Sequence, residues 1–134
     1  MSVIGIEKLE FGVEDIPSCQ KFLHDFGLKA ASDNASLFTT LSGAEIQLFS
    51  HQDPNLPAPF EAGSTLRRIT WGVENSDKLQ EIIEKIRPCD GFQLTPDGAQ
   101  CRDPNGMTVA FTISKQKTVE LEVTAINQWG DIRR

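Results

Sequence analysis

The chain has 134 residues, 39% of them hydrophobic, and a formal net charge of −6 at pH 7. This length is typical of one domain, and the acidic balance disfavours nucleic acid as a partner, since nucleic-acid sites are basic. No apolar run approaches the ~20 residues that a membrane-spanning helix needs. Glu7, Lys8 and Glu10 interrupt the apolar start, which argues against a signal peptide. We therefore expect a cytoplasmic protein with neither a nucleic-acid nor a membrane partner.

The first fifty residues predict a strand, a helix and a hairpin, in that order. Residues 3–13 alternate between apolar and polar, with a slip near Glu7, and predict a half-buried strand. Asp15 is a good N-cap for a helix that Gly27 ends. A short strand is expected at 28–32, and strands at 36–41 and 44–49 flank a tight turn at Ser42-Gly43. Residues 51–64 are rich in proline and predict a linker.

The second half repeats this order of elements. A strand is expected through residue 73, then a helix that Ser76 or Asp77 caps, and a short strand at 92–95. Strands at 99–102 and 107–113 flank a turn that begins at Asp103. Residues 119–123 alternate as in a further strand, and the tail to Arg134 predicts that the natural protein continues.

One short phrase occurs twice, sixty positions apart. Leu-Glu-Phe-Gly-Val-Glu-Asp at 9–15 is nearly repeated as Ile-Thr-Trp-Gly-Val-Glu-Asn at 69–75. Both copies follow an alternating run and precede a helical pattern. The chain is therefore predicted to contain two copies of one βαβββ unit, with any pocket lying between them.

Three motifs resemble those of the vicinal-oxygen-chelate superfamily, which includes glyoxalase I, bleomycin-resistance proteins and extradiol dioxygenases. They are Phe-Gly-Val-Glu-Asp-Ile at 11–16, Phe-Leu-His-Asp-Phe-Gly-Leu at 22–28 and Arg-Asp-Pro-Asn-Gly-Met at 102–107. The resemblance covers roughly residues 3–114. The opening and the first helix are most similar to the N-terminal domain of two-domain extradiol dioxygenases, which generally lacks the iron.

The resemblance implies an α+β fold in which two tandem βαβββ modules form a curled mixed sheet around a cavity, with the helices on the outer face. Module one would span 1–50 and module two 65–114, joined by the linker 51–64. Residues 115–134 would form an extra strand and a tail that leads to a second domain.

The same resemblance assigns metal ligands to four positions on the concave face of the sheet, occupied here by Lys8, Gln47, Arg68 and Ala110. Neither an arginine nor an ammonium lysine has a lone pair to give a metal ion. Gln47 alone cannot hold Fe(II) or zinc, which need several imidazole, carboxylate or thiolate ligands. We therefore expect no metal cofactor.

Alternation gives the cavity a polar lining with two cations near its middle. Two interpretations are open: Lys8 and Arg68 bind an anionic group of a small ligand, or they pair with Glu10 and Glu45. The candidate cavity residues are Lys8, Glu10, Gln47, Arg68, Thr70 and Ala110.

Three functions remain open at this point. The first is a non-catalytic N-terminal domain that supports a catalytic one, so that this chain alone is not an enzyme. The second is a stand-alone module that binds a small anionic or aromatic ligand. The third is a metal-dependent dioxygenase or lyase, using Fe(II) or another divalent metal, whose ligands lie elsewhere. Pairing of the modules with a second copy of the chain, as a homodimer, is also open.

Overall fold

The structure, a computed structural model, describes residues 2–122. These residues form two modules with the same order of elements, a long strand followed by a helix and three shorter strands. Module one contains β1 (Val3–Val13), α1 (Ile16–Asp25), β2 (Lys29–Ala30), β3 (Leu37–Thr39) and β4 (Glu45–Ser50). Module two contains β5 (Thr65–Val73), α2 (Ser76–Ile86), β6 (Gln93–Thr95), β7 (Gly98–Arg102) and β8 (Thr108–Ile113).

The eight strands form one mixed sheet with the order β2-β3-β4-β1-β5-β8-β7-β6. The two long strands β1 and β5 lie side by side and antiparallel at its centre. In each module the last strand runs parallel to the first, β4 beside β1 and β8 beside β5. This arrangement confirms the predicted α+β fold of two βαβββ modules, and the sheet does not close into a barrel.

The two helices cover one face of the sheet, and each has its own apolar cluster beneath it. Under α1, the buried side chains of Val13, Phe38 and Leu48 pack with the partly buried Phe11. In the equivalent cluster, Leu79 and Ile83 of α2 pack with Val73 and Ala99 of the sheet. Alternation along β1 and β5 therefore leaves the opposite face to the polar side chains.

The helix starts follow the capping rule, with one correction to the sequence prediction. The Asp15 carboxylate accepts a hydrogen bond from the Ser18 N–H at 3.0 Å, as predicted. The second helix is capped by Asn75, whose side chain accepts from the Lys78 N–H at 2.9 Å, and not by Ser76 or Asp77. Three successive residues there can cap a helix, and the sequence did not indicate which of them leaves the helical conformation first.

The strand predicted at residues 119–123 is wrong for the part that the structure describes. Residues Val119–Glu122 are irregular, and β8 is the last strand within residues 2–122. Val123 and the tail to Arg134, where continuation into a second domain was predicted, lie outside the described residues. An alternating run becomes a strand only when a neighbouring strand offers hydrogen bonds, and none does so here. Within residues 2–122 no helix combines the length and apolarity needed to cross a bilayer.

The first strand of each module carries a bulge, which confirms the slip predicted near Glu7. Three register shifts between β1 and β5 leave Ile4 and Glu7 of β1 and Arg67 of β5 without a residue opposite. Glu7 and Arg67 are sixty positions apart and are therefore equivalent in the two modules. Both are charged and almost fully buried, with exposed fractions of 9% for Glu7 and 5% for Arg67.

Glu7 and Arg67 each anchor the chain where the other module's last strand ends. Glu7 accepts hydrogen bonds from Ser114 Oγ at 2.9 Å and from the Lys115 N–H at 2.6 Å, just after β8. Arg67 donates to the carbonyls of His51 at 3.2 Å and Pro57 at 2.7 Å, in the linker that follows β4. We call these two contacts the reciprocal anchors.

The repeated glycine of the sequence echo makes room for the reciprocal anchors. A Cβ atom on Gly72 would lie 2.6 Å from Glu7 Oε2, and one on Gly12 would lie 2.7 Å from Arg67 Nη1. Both distances are shorter than any normal contact. The echo in the sequence thus reports a requirement for close approach at both anchors.

Candidate functional site

The predicted cavity residues occupy two rows that cross the concave face of the sheet. In one row Lys8 of β1 pairs with Thr70 of β5, which pairs with Ala110 of β8. In the other row Gln47 of β4 stands beside Glu10 of β1, which pairs with Arg68 of β5. Equal register on neighbouring strands sends side chains to the same face, so the six residues share one face as predicted.

A cleft of about 620 Å³ lies over the middle of this face. We call it the central cleft. Five of the six predicted residues line it, namely Lys8, Glu10, Arg68, Thr70 and Ala110. Gln47 stands next to Glu10 in register but is not part of the lining.

The centre of the face is closed by an ion pair. Arg68 Nη1 donates to both oxygens of Glu10, at 2.9 and 3.1 Å. Only 23% of the Arg68 side chain and 10% of the Glu10 side chain are exposed, so water screens the pair weakly. Of the two cations that could pair with neighbouring acids, Arg68 therefore does so, with Glu10.

Lys8 behaves differently from Arg68. Glu45 is its register partner on β4, but no carboxylate of residues 2–122 lies within 4.0 Å of the Lys8 ammonium. The central cleft also contains carboxylates from Glu7, Glu45 and Asp97 besides Glu10, against the cations Lys8, Arg68 and Lys115. An anion entering this cleft therefore meets more negative than positive side chains.

The donor set on the concave face does not suit a metal ion. Of the four positions that the resemblance assigns to ligands, Lys8 and Arg68 are cations and Ala110 has no donor atom. The Glu10 carboxylate lies on this face, and both of its oxygens already accept from Arg68. Across residues 2–122, no three His, Cys, Asp or Glu side chains come together in a way that could hold a metal.

A second cleft, of about 520 Å³, lies on the module-two side of Arg68, between the linker and strands β6, β7 and β8. We call it the linker cleft. Arg68 and Gln100 line both clefts, so the two are neighbours. Arg102 of β7 lies in the same row as Arg68, with Thr108 of β8 between them.

Arg102 was missed by the sequence analysis. Its Nε donates to the Asp90 carboxylate at 3.0 Å, and this contact lowers the pKa of Asp90 and raises that of Arg102. The turn that begins at Asp103 was the signal that could have found it. This turn fixes the register of β7 against β8 and thereby places Arg102 beside Thr108.

The comparisons with known proteins identify a shared fold. No protein-family model matches the chain, and no curated protein matches it in sequence. A Mn(II)-bound glyoxalase from Novosphingobium aromaticivorans superposes with a TM-score of 0.61 at 15% sequence identity, covering 92% of this chain and 43% of its own. A catechol 2,3-dioxygenase superposes with a TM-score of 0.58 at 14% sequence identity, covering 85% of this chain and 40% of its own. A methylmalonyl-CoA epimerase from Mycobacterium tuberculosis superposes with a TM-score of 0.52 at 14% sequence identity, covering 84% of this chain and 89% of its own.

These three structures are members of the vicinal-oxygen-chelate superfamily, and the fold that the motifs implied is confirmed. This chain spans about two fifths of the length of the glyoxalase and of the dioxygenase. Sequence identities near 15% establish the fold and leave the activity to be argued from the site.

Proposed function

We propose that this chain, which has the vicinal-oxygen-chelate fold, is a non-catalytic domain that supports a catalytic neighbour and binds no metal itself. The observation that carries the proposal is the ion pair between Arg68 and Glu10 at the centre of the concave face. Arg68 occupies one of the positions to which the resemblance assigns a metal ligand. A guanidinium is always charged in proteins, so this position carries a cation at every working pH.

Electrostatics at the ion pair oppose a divalent cation in two ways. The guanidinium of Arg68 would repel it, and the half-enclosed site weakens the screening by water. Glu10 would also have to leave Arg68, and removing one partner of a poorly exposed ion pair leaves an uncompensated charge. Arg68 and Glu10 thus neutralise each other and occupy the position where a metal ion would bind.

The support role is favoured by the size of the fold relative to its structural neighbours. The chain corresponds to about two fifths of the glyoxalase and the dioxygenase, which in those proteins leaves more than half of the chain for other parts. A paired-module unit of this kind therefore occurs within longer proteins. In the proposed arrangement the metal chemistry belongs to the neighbour, and this domain provides its packing surface.

Metal analysis tests the metal-free part of the proposal. The protein is purified without a His tag, its Fe, Mn, Ni, Co and Zn contents are measured, and each ion is titrated against thermal unfolding. A ligand that binds only the native state at 100 times its Kd adds about 2.7 kcal/mol of stability. We expect no stoichiometric metal and no shift. One metal per chain with a clear shift would overturn the proposal and bring the metal-dependent lyase or dioxygenase forward.

The reading frame of the gene tests the support role. A catalytic domain encoded after Arg134 would agree with the proposal, and a stop codon directly after Arg134 would contradict it. Either result is independent of the metal analysis.

We propose, as a second candidate, a module that binds a small anionic molecule. The linker cleft favours it, because the charged side chains among its described lining residues are both arginines, Arg68 and Arg102. The original prediction of an anion between Lys8 and Arg68 stays a prediction, and the acidic surroundings of Lys8 make the linker cleft the better place for an anion.

A further inference from the structure

We propose that the linker cleft binds a small organic acid whose carboxylate or phosphate group lies between Arg68 and Arg102. The inference deepens the binding role put forward as the second candidate function, and it does not depend on the support role. Its basis is the juxtaposition, in one cleft, of two arginines, a small residue between them and the apolar side chains of Leu56, Pro57 and Phe92.

The charge of the cleft selects an anionic group. Arg68, Thr108 and Arg102 lie in one row on the adjacent strands β5, β8 and β7. Neighbouring strands are ~4.8 Å apart, so the two arginine backbones stand roughly 10 Å apart with only the short Thr108 side chain between them. None of the described residues that line the cleft carries a carboxylate. An oxyanion between the two guanidinium groups would therefore meet positive charge from both sides.

Both guanidinium groups retain unused hydrogen-bond donors. Within residues 2–122, Arg68 donates through Nη1 alone, to Glu10, and Arg102 through Nε alone, to Asp90. The Nη2 group of Arg68 and both Nη groups of Arg102 meet no acceptor among these residues. The two Nη groups of Arg102 form a planar pair that matches the geometry of a carboxylate or phosphate, and Nη2 of Arg68 is a further donor.

The two existing carboxylate partners differ in how firmly they hold their arginine. Glu10 is enclosed, whereas 79% of the Asp90 side chain is exposed. An exposed ion pair contributes little because water and salt screen it. A ligand anion can therefore take over Arg102 from Asp90 at small cost, while Glu10 continues to fix the orientation of Arg68.

Part of the remaining lining of the cleft is apolar. Leu56 and Pro57 of the linker and Phe92 before β6 are half-buried and line the cleft together with the polar side chains of Asn55, Gln93 and Gln100. A volume of about 520 Å³ falls within the usual range for small-molecule sites. A bare inorganic ion would leave these apolar side chains uncovered, so the proposed ligand combines an anionic group with a small aliphatic or aromatic body.

The test is a titration followed by two-dimensional NMR of backbone amides. The probes are benzoate, hexanoate, phenyl phosphate and inorganic phosphate, with neutral benzamide as the uncharged analogue of benzoate. We expect the organic acids to shift the amides of Leu56, Gln93 and Thr108, and benzamide to bind at least about tenfold more weakly, because a hydrogen bond to a charged group is lost. The tighter of benzoate and phenyl phosphate identifies the anionic group.

Three variants separate binding from folding. Arg102→Met is expected to weaken binding of the organic acids about tenfold or more. Asp90→Asn removes the competing charge and is expected to tighten binding severalfold, an effect that damage to the fold would not produce. Lys78→Met is the matched control, since Lys78 forms a comparable exposed ion pair with Glu81 on α2, away from the cleft. It is expected to leave binding unchanged.

Several outcomes would overturn the inference. In the titrations these are the absence of a saturable shift with any organic acid at 10 mM (about the weakest binding worth calling a site) and equal affinities for benzamide and benzoate. In the variants it is an equal loss of affinity in Arg102→Met and Lys78→Met. Amide shifts confined to Thr112 and Lys115 in the central cleft would also contradict it. Metal found in the separate metal analysis would overturn the proposed support role and would leave this inference standing.

Discussion

The reciprocal anchors make a quantitative prediction about Gly72. In Gly72→Ala the new Cβ would lie 2.6 Å from Glu7 Oε2 and 3.0 Å from Ser114 Cβ. The Glu7 carboxylate cannot swing aside freely, because it accepts from Ser114 Oγ, the Lys115 N–H and Gln116 Nε2. The substitution must therefore weaken hydrogen bonds to a buried charge or shift the chain after β8.

The expected change in the free energy of unfolding combines two destabilising contributions and one stabilising contribution. Overpacking typically costs about 1–3 kcal/mol, and each hydrogen bond to a charged group is worth about 1.5–3 kcal/mol when it is lost outright. Replacing glycine restricts the unfolded chain and returns about 0.4–1 kcal/mol. We expect Gly72→Ala to lower the free energy of unfolding by about 1–2 kcal/mol and the Tm by about 4–8 °C for a domain of this size.

The assay is equilibrium unfolding in urea, followed by far-UV circular dichroism, on a double-mutant cycle with Glu7→Ala. Removing the carboxylate removes the closest clash, so Gly72→Ala is expected to cost about 1 kcal/mol less in the Glu7→Ala background. Gly5→Ala on β1 is the control, since Gly5 is the register partner of Gly72 and its nearest neighbour, Gln116 Nε2, is 3.8 Å away, an ordinary contact. It is expected to change stability by less than about 0.5 kcal/mol. Equal costs of Gly72→Ala in both backgrounds would refute the role assigned to Glu7.

Two further predictions concern single side chains. Hydrogen bonds from the Ser18 side chain and N–H lower the pKa of Asp15 below its ordinary value of 3.8, so the carboxylate stabilises the native state above that pH, and this contribution is lost as the pH falls through the lowered pKa. Asp15→Ala should therefore lower the Tm at pH 7 and reduce the dependence of Tm on pH in the acid range, whereas an unchanged acid profile would contradict the capping role. Burial is the largest cause that raises the pKa of the Cys101 thiol above 9.0, and Cys89 is exposed. Iodoacetamide at pH 7 should label Cys89 well before Cys101 in mass spectra of the native protein, and equal labelling would mean that the Cys101 site opens readily.

The sequence was informative where a local pattern determines a local structure. The echo at 9–15 and 69–75 located both central strands, and Asp15 located the first helix, because caps and alternation act within a few residues. It also brought Lys8 and Arg68 to one face, since period-2 alternation fixes the face of each side chain.

It was less informative where the outcome depends on a distant strand. The bulge at Arg67 was not predicted, because one extra residue is visible only against the register of the partner strand. Arg102 was missed for the same reason, since its place beside Thr108 and Arg68 arises from pairing of three strands. The alternation at Val119–Glu122 gave the opposite error, a strand pattern with no partner.

The reciprocal anchors have a consequence for how the molecule comes apart. Opening module one would strip the His51 and Pro57 carbonyls from the buried Arg67 guanidinium of module two. Opening module two would strip the Ser114 and Lys115 donors from the buried Glu7 carboxylate of module one. Each module thus holds a buried charge whose hydrogen-bond partners directly follow the last strand of the other module, so unfolding of either module is expected to destabilise its neighbour. The two modules are therefore expected to unfold together as one cooperative unit and not independently.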